Sequence, residues 1–507
     1  MRNGHSVAAF IVGLLGLFAV LSFPALSPGQ PAAPATPQSD PEVSAINPER
    51  SDCNNLKPSE SRPDETTPRK DRPITADILT SGLPCAPNFV SPFSLDNLQH
   101  GFDFYSWLTF IALNSPADGK NIVEGTPPRK DARTKWEDVK NYRQLADIML
   151  EKGRKPEAWG TAVELPPSCP KDAQHDMVIH LEEETFNQPF KTGPLIDQNG
   201  NYAFFDILMN QVMFDYIVEN GLYTKEGQLD FKQRDARFSG SSDVLSPQAP
   251  GIVNFPKGKV INDRRGTMGA IMLKVSWKIM DPIGDKALKE FHTIDALIYT
   301  PEKKKDGVKI ADATCVVRKL GLIGFHVGHK TIGAPQWIWS TFEHVNNVPE
   351  QADVNAGKAL GPYSLFNAKC KPKDCPVNQT PPFPWEPGKE LKFHDAKFKS
   401  QITRVIPLTR DVRELNKSFQ ALLKGTVWAN YQLIITQWPS DATNKIDRTG
   451  VPAPTYLANT TLETYSQGSI PLASSSCMAC HNNATTHAGS PSDFTFTLEK
   501  ARSSAEK

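Results

Sequence analysis

A short motif near the C-terminus places the strongest constraint on how this chain can fold. Two cysteines stand three residues apart, Cys477 and Cys480, and His481 follows directly. On one helical turn, residues three apart lie on the same side, so both thiols and the adjacent imidazole can reach one bound group. The tail beyond the motif has three large apolar residues: Phe494, Phe496 and Leu498. A group held by the motif must therefore be enclosed by chain that precedes it.

The C-x-x-C-H spacing is that of a c-type haem attachment site. The two thiols can reach the two vinyl groups at one haem edge, and His481 can bind the iron as the proximal ligand. The alternatives are a thioredoxin-like pair, half of a zinc site, or a surface disulfide. A redox pair is preceded by a strand, whereas segment 472–476 is small and polar, and a zinc site needs a second Cys/His pair nearby. The sequence therefore predicts one covalent haem c at Cys477, Cys480 and His481.

This motif and its context resemble c-type cytochromes, specifically large exported proteins with a single haem attached near the C-terminus. The resemblance covers the last part of the chain. It departs from the small cytochromes c, in which the motif comes early and an axial Met follows, because no Met follows Cys480. A C-terminal motif occurs in the four-helix cytochromes c-prime, and in the mostly β cytochromes c-prime-beta and their lysine-cross-linked relatives. The tail 492–497 (SDFTFT) is similar to the Asp-aromatic-x-Phe-Thr ending of that β group.

The ligand on the distal side of the iron determines whether a haem serves as an electron carrier or as a catalytic centre. The densest group among the 11 histidines is His326, His329 and His344. On an extended strand His326 and His329 point to opposite faces, so at most one of them can face a haem pocket. We predict that His326 or His329 is the distal ligand. Gly324 and Gly328 bracket His326, which indicates close approach of another group to the strand.

Each residue near this strand also has an ordinary interpretation. Trp337 and Trp339 share one face of the next strand and could wall a haem, although Trp pairs are more often simple core. Lys330 and Arg318 are candidates to neutralise haem propionates. The His pair in the strand could also be half of a metal site, or plain buried core.

The hydrophobic pattern changes period along the chain and predicts an α+β fold. Helical spacing is found over 97–113, 202–220 and 414–424, whereas β-branched and aromatic runs predict strands over 269–280, 291–300, 315–327, 336–345 and 427–438. Because these elements do not alternate regularly, we expect an antiparallel sheet with packed helices, a C-terminal haem-attachment segment and long irregular loops.

The remaining organisation follows from composition. Residues 1–27 form a signal peptide or N-terminal anchor, because their apolar run is short for a membrane span of ~20 residues. Residues 28–84 are predicted to be a Pro-rich disordered linker. Residues 85–400 form the α+β body, and 401–507 form the haem-attachment region, continuous with that body.

The charge balance limits the class of partner that we expect, and the cysteine content predicts disulfides. The 56 Lys+Arg balance the 56 Asp+Glu, which disfavours a nucleic-acid partner. We expect a periplasmic or otherwise exported protein, with an inner-membrane anchor at the N-terminus as the alternative and the only membrane contact. The six cysteines outside the motif predict disulfides, with Cys370 and Cys375 as the best local pair.

These features predict an exported c-type cytochrome that transfers electrons with an extracytoplasmic redox partner protein. The chain is far longer than a simple carrier requires. A haem-dependent oxidoreductase with peroxidase-like or nitrogen-oxide chemistry therefore remains an alternative, and a haem-based sensor is a third. The sequence identifies no catalytic residue.

Overall fold

A ten-stranded sheet is the central element of the fold in the computed structural model of this chain. The structure describes residues 52–54, 79, 82–85, 95–120, 122–123, 133–182, 185–186, 188–189, 192–235, 250–260, 265–280, 289–305, 308–331, 334–371, 373–381, 391–393, 395, 398–439, 452–467 and 476–505. These residues fall in one compact unit, 48–507. The predicted signal segment and nearly all of the predicted linker lie outside the described residues.

Fifteen strands are present in the described chain. They are β1 (Asp52–Asn54), β2 (Tyr142–Gln144), β3 (Met177–His180), β4 (Leu195–Ile196), β5 (Tyr202–Asn210), β6 (Lys259–Val260), β7 (Arg265–Thr267), β8 (Ile271–Ile279), β9 (Thr293–Thr300), β10 (Lys303–Lys305), β11 (Val308–Ala311), β12 (Thr314–Thr331), β13 (Ala334–His344), β14 (Tyr431–Pro439) and β15 (Pro452–Ala453).

Six α-helices and several 3-10 turns accompany these strands in the described chain. The helices are α1 (Leu95–Asn114), α2 (Gln211–Glu219), α3 (Lys225–Phe231), α4 (Gln351–Asn355), α5 (Arg410–Leu422) and α6 (Cys477–His481). The 3-10 turns are Lys135–Glu137, Leu145–Asp147, Glu151–Gly153, Val427–Asn430, Thr464–Ser466 and Phe496–Lys500.

The main sheet has the order β15-β14-β13-β12-β8-β5-β2, with β4 paired to β5 and β9 paired to β12. Its neighbours are antiparallel except for β3, which runs parallel to β9. Strand β12 is 18 residues long, so its first part pairs with β9 and its second part with β13. The predicted α+β class with an antiparallel sheet is confirmed.

The two faces of the sheet bury different partners. On one face, which we call the helix face, Phe325 packs in a core layer with Trp107 of α1 and Phe419 of α5. The opposite face, the motif face, forms a second layer that includes Cys477 and Phe494. Side chains alternate along a strand, so neighbouring residues of β12 belong to different layers. This alternation decides which residues can approach the C-x-x-C-H motif.

The prediction of one helix over 202–220 is wrong in its first half. Residues Tyr202–Asn210 form strand β5, and the helix begins at Gln211. Both faces of β5 are buried, so its sequence is a nearly continuous apolar run, and periodicity alone cannot distinguish such a strand from a buried helix. Asn210 marks the boundary, because its side chain accepts a hydrogen bond from the Met213 N–H as an N-cap. The predicted strand over 427–438 is also shorter than expected. Its first residues form a 3-10 turn, and the chain becomes extended at Tyr431.

Disulfides connect parts of the chain that the sheet alone does not join. The predicted bridge between Cys370 and Cys375 is confirmed, and a second bridge joins Cys169 to Cys315 across 146 residues. Cys85 is also disulfide-bonded. None of the described helices is both long enough and apolar enough to cross a membrane.

The two bridges close loops of very different length, and we expect them to stabilise the fold unequally. In the loop-entropy account, a sequence separation of 146 residues corresponds to about 5 kcal/mol and a separation of 5 residues to about 2 kcal/mol. The double variant Cys169→Ser/Cys315→Ser should therefore lower the free energy of unfolding more than Cys370→Ser/Cys375→Ser, as measured by urea titration. Equal losses in the two variants would contradict the loop-length explanation.

Candidate functional site

The C-x-x-C-H motif forms the short helix α6, which docks on the motif face of strand β14. Ser476 caps the helix, because its hydroxyl accepts a hydrogen bond from the Ala479 N–H at 3.2 Å. The Gln437 side-chain oxygen accepts the Met478 N–H at 2.7 Å and the Ser476 hydroxyl at 3.2 Å. The sheet thereby fixes the N-terminus of the helix and with it the direction of both cysteines.

Both motif cysteines are free thiols, with Cys477 buried and Cys480 partly exposed. Burial raises the pKa of each thiol, and the nearby Glu463 carboxylate raises it further. The thiols are therefore protonated near neutral pH. Reactive redox cysteines have the opposite property, a lowered pKa, so this environment argues against the thioredoxin-like alternative.

The imidazole of His481 is held in one orientation by aromatic rings and a backbone carbonyl. Its ring centroid lies 4.5 Å from that of Trp339 and 5.1 Å from that of Phe496. Its Nδ1 lies 2.8 Å from the carbonyl oxygen of Phe494. A carbonyl can only accept, so Nδ1 carries the proton and donates it. Burial lowers the pKa of His481 to about 4, so at neutral pH the ring is uncharged and Nε2 keeps its lone pair.

The Phe494 carbonyl is in turn positioned by its neighbour Asp493. The Asp493 carboxylate pairs with the buried Lys330 ammonium and accepts the Phe255 N–H at 2.7 Å. The Asp493 carbonyl accepts the Trp337 indole N–H at 3.0 Å. Asp493 and Phe494 have φ angles of 51° and 62°, a conformation that non-glycine residues adopt rarely and that these anchors hold in place.

This pairing also locates the two cations that the sequence suggested for haem propionates. The Lys330 ammonium is engaged by Asp493 and Asn254. Arg318 lies in the part of β12 that pairs with β9, and its guanidinium donates to the Val317 carbonyl at 3.0 Å. Lys330 therefore has a structural role, because it positions the C-terminal tail through its ion pair with Asp493.

His326 lies on the motif face, next to a pair of opposite charges. It is opposite Lys274 of β8 and Thr341 of β13 in the sheet register. Its Nε2 lies 3.2 Å from the Glu463 carboxylate. Burial alone would raise the pKa of Glu463, but His326 and then Lys274 outweigh it and hold that pKa below its usual value. The charge of Lys274 also acts on both motif thiols and on His481.

His329 lies on the helix face instead, away from the motif. Its Nδ1 is hydrogen-bonded to the Tyr105 hydroxyl of α1, and burial lowers its pKa to about 3. The structure therefore brings His326, and not His329, to the side of the sheet that carries His481. His344, the third member of the group, stacks on Phe291 with ring centroids 3.7 Å apart and is ordinary core.

The loop that carries Glu463 is held on the sheet by hydrogen bonds from Thr460 to the buried Glu343 carboxylate. The Glu343 carboxylate pairs with Arg404 at 2.7 Å and accepts the Thr460 hydroxyl at 2.7 Å. Gly324 is required here, because a Cβ at this position would lie 2.1 Å from the Thr461 hydroxyl oxygen. The close approach predicted at this glycine is thus made by the loop. Gly328 lies beneath Trp337 and Trp339, which both pack on the motif face.

Lys274 and Glu463 are site residues that the sequence analysis did not single out. Lys274 carried a weak signal, since it is a charged residue inside the apolar run of β8. Glu463 carried no signal, because its position depends on how its loop crosses the sheet. Its distance from His326 can be read only from the folded chain.

The described motif residues carry the groups that a covalent haem would use: two free thiols on one helical turn and an imidazole whose Nδ1 is held by a carbonyl. Within the described part of the chain, no three His, Cys, Asp or Glu side chains are arranged to hold a metal ion. No protein-family model, curated protein or solved structure matches this chain.

The tautomer of His481 can be measured directly on haem-free protein. We expect nitrogen-edited NMR to show the proton on Nδ1 and a pKa near 4, against about 6.5 for an unperturbed imidazole. Because the folded-state pKa is the lower one, the contribution of His481 to stability is complete above pH ~6.5 and is lost as the pH falls toward 4. His481→Gln, which removes the resonance, assigns it. A proton on Nε2, or a pKa near 6.5, would contradict the assignment.

Proposed function

We propose that this chain is an exported c-type cytochrome with one covalent haem. In this proposal Cys477 and Cys480 form the two thioether bonds, and His481 is the proximal iron ligand. The observation that carries the proposal is the hydrogen bond from the His481 Nδ1 to the Phe494 carbonyl. Histidines that bind metals typically donate the second ring N–H to a carbonyl or carboxylate, which fixes the tautomer and orients the ring.

The state of the two thiols also supports covalent attachment. Thioether formation would add each thiol S–H across one vinyl group, so Cys477 and Cys480 would need no oxidant to hold a haem. The reaction does need thiols that are not already bridged, and both motif cysteines are free while Cys169, Cys315, Cys370 and Cys375 are paired with one another. The chain therefore keeps the motif pair apart from its structural disulfides.

Electron transfer is the function that this site supports best. A bound haem would supply an iron that takes up and releases one electron. The protein contributes a fixed imidazole and the apolar layer that includes Trp339 and Phe494, and such burial and ligand control set a reduction potential. The partner in this proposal is an extracytoplasmic redox protein, and nucleic acid has no part in it.

The disulfides support the proposed compartment. Disulfide bonds persist in oxidising environments such as the bacterial periplasm and are rare in the cytosol of mesophiles. Two complete bridges in the described chain are thus consistent with a periplasmic or otherwise exported protein. Covalent haem c would require that same compartment.

The second candidate is a haem-dependent oxidoreductase, with peroxidase-like or nitrogen-oxide chemistry, or a haem-based sensor. One observation favours it, the ionisable group of His326, Glu463 and Lys274 beside the motif. Such groups can donate and accept protons during chemistry at a bound substrate. A carrier has two firm iron ligands, whereas an enzyme or sensor keeps one position open.

The attachment residues can be tested with a matched pair of double variants. We expect Cys477→Ser/Cys480→Ser to lose all haem after denaturing electrophoresis, because no thioether can form. Cys370→Ser/Cys375→Ser, which also removes two cysteines, should retain haem like the unmodified protein. Haem that stays on the denatured Cys477→Ser/Cys480→Ser chain would refute the attachment site.

The distal side can be tested by comparing the two histidines of β12. We expect His326→Gln to change the spin state of the oxidised holoprotein, because His326 lies on the motif face. His329→Gln should leave the visible spectrum unchanged, because His329 lies on the helix face. A low-spin wild-type spectrum that carbon monoxide does not alter after reduction would fit the electron carrier. Unchanged spectra in His326→Gln would rule out His326 as a ligand. Rapid gas binding to a high-spin wild type would also rule it out and would favour the second candidate.

A further inference from the structure

A separate cavity of about 180 Å³ lies at the β2 end of the sheet. Its wall includes Tyr142 and Leu208, which belong to the core layer of the helix face, whereas the C-x-x-C-H motif packs in the other layer. The cavity is smaller than the roughly 300–1,000 Å³ of drug-sized pockets, so it suits a ligand of few atoms. Exposed residues Ala162 and Glu164 line it on the solvent side.

Two polar groups in this wall make no hydrogen bond within the described structure. Asp147 is only 8% exposed and lines the cavity, yet its carboxylate has no hydrogen bond or ion pair with any described residue. The hydroxyl of Tyr142, a residue 4% exposed, likewise has no hydrogen-bond partner among the described residues. Neither group is among the fully enclosed unpaired polar atoms of the described chain, so each remains accessible to a ligand although its residue is more than nine-tenths buried.

A second buried carboxyl lies behind Asp147. Asp206 is close enough for the two carboxyls to interact, and its side chain accepts a hydrogen bond from the Gln144 amide at 2.5 Å. Burial raises the pKa of Asp206 to about 7, so it carries only part of a negative charge near neutral pH. Burial raises the pKa of Asp147 to about 6, with the Arg143 guanidinium acting in the opposite direction, so Asp147 is ionised above neutral pH. The Arg143 guanidinium itself donates to the carbonyls of Glu157 and Thr161. These hydrogen bonds from Arg143 fix the loop on the outer side of the cavity. They leave the Asp147 carboxylate without a direct partner.

Three other charged groups in the wall, Arg133, Asp176 and Glu137, are already engaged, whereas Glu164 lies at the solvent side. The Arg133 guanidinium lies 3.8 Å from Asp176 and donates to the His175 carbonyl at 3.0 Å. The Glu137 carboxylate contacts His292 and accepts the Thr134 N–H. Burial lowers the pKa of His180 to about 4, so this imidazole is neutral and does not repel a cation. The charge available to a ligand in the cavity is therefore negative.

We propose that this cavity binds a small organic ammonium ion, with Asp147 as its counter-ion and the Tyr142 hydroxyl as an acceptor of one of its N–H groups. A carboxylate in a nearly buried site forms a stronger hydrogen bond to a charged donor than to a neutral one. The aromatic ring of Tyr142 adds a surface that favours cations. This inference is independent of the haem proposal, since it uses no residue of the motif face.

The test is calorimetric titration of the full-length protein with propylammonium chloride at pH 7.5. The controls are 1-propanol, which has the same length without the charge, and sodium chloride at the same ionic strength. We expect saturable binding of propylammonium and none of 1-propanol. Absence of saturable binding by propylammonium, or equal binding of 1-propanol, would overturn the proposal.

Variants then assign the binding to the cavity. Asp147→Asn should raise the Kd at least tenfold, because it removes the counter-ion and keeps the shape. Glu157→Gln removes one charge from the adjacent loop but does not line the cavity, so it should bind normally. Ala162→Arg places a cation at an exposed lining position and should also weaken binding at least tenfold, which keeps the test decisive if Asp147→Asn folds poorly. Unchanged affinity in Ala162→Arg would place the bound ion elsewhere and refute the site.

Discussion

The hydrogen bond between His481 and the Phe494 carbonyl is the contact on which the proposed haem site depends. A neutral imidazole binds a metal through the nitrogen that carries no proton, and the carbonyl keeps the proton on Nδ1 because a carbonyl only accepts. The carbonyl itself is positioned by the Lys330–Asp493 ion pair and by the Trp337 indole. Lys330 lies 163 positions before Asp493, so the geometry of His481 depends on strands β12 and β13 having formed. The site and the sheet therefore form together.

Two buried carboxylates on the motif face, Glu463 and Glu343, are tolerated because each is compensated by nearby positive groups. A charge buried without a partner costs several kcal/mol, whereas Glu463 is compensated by His326 and Lys274, and Glu343 by Arg404. Glu343 also accepts hydrogen bonds from Thr460, which hold the loop that brings Glu463 to the sheet. As a result, the face that carries the free thiols also carries groups that can exchange protons. On the helix face, by contrast, His329 is hydrogen-bonded to Tyr105 of α1 and is buried in the core.

Local rules predicted the parts of this structure that depend on neighbours in sequence. The alternation of a strand separated His326 from His329, and the short spacing of Cys370 and Cys375 identified one disulfide. Local rules failed at Tyr202–Asn210, where a strand buried on both faces has the composition of a core helix. The Cys169–Cys315 bridge and the approach of Glu463 to His326 were beyond prediction, because both depend on strand register and loop placement between segments far apart in sequence.

Intact-mass spectrometry tests the central claim most directly. The full chain would be exported from a bacterial host that has the enzymes for haem c maturation, then unfolded and stripped of any noncovalent ligand. The account predicts a mass increase equal to one haem, located by peptide mapping in the fragment that contains Cys477 and Cys480. An unmodified mass for protein that carries both folded-state disulfides would contradict it.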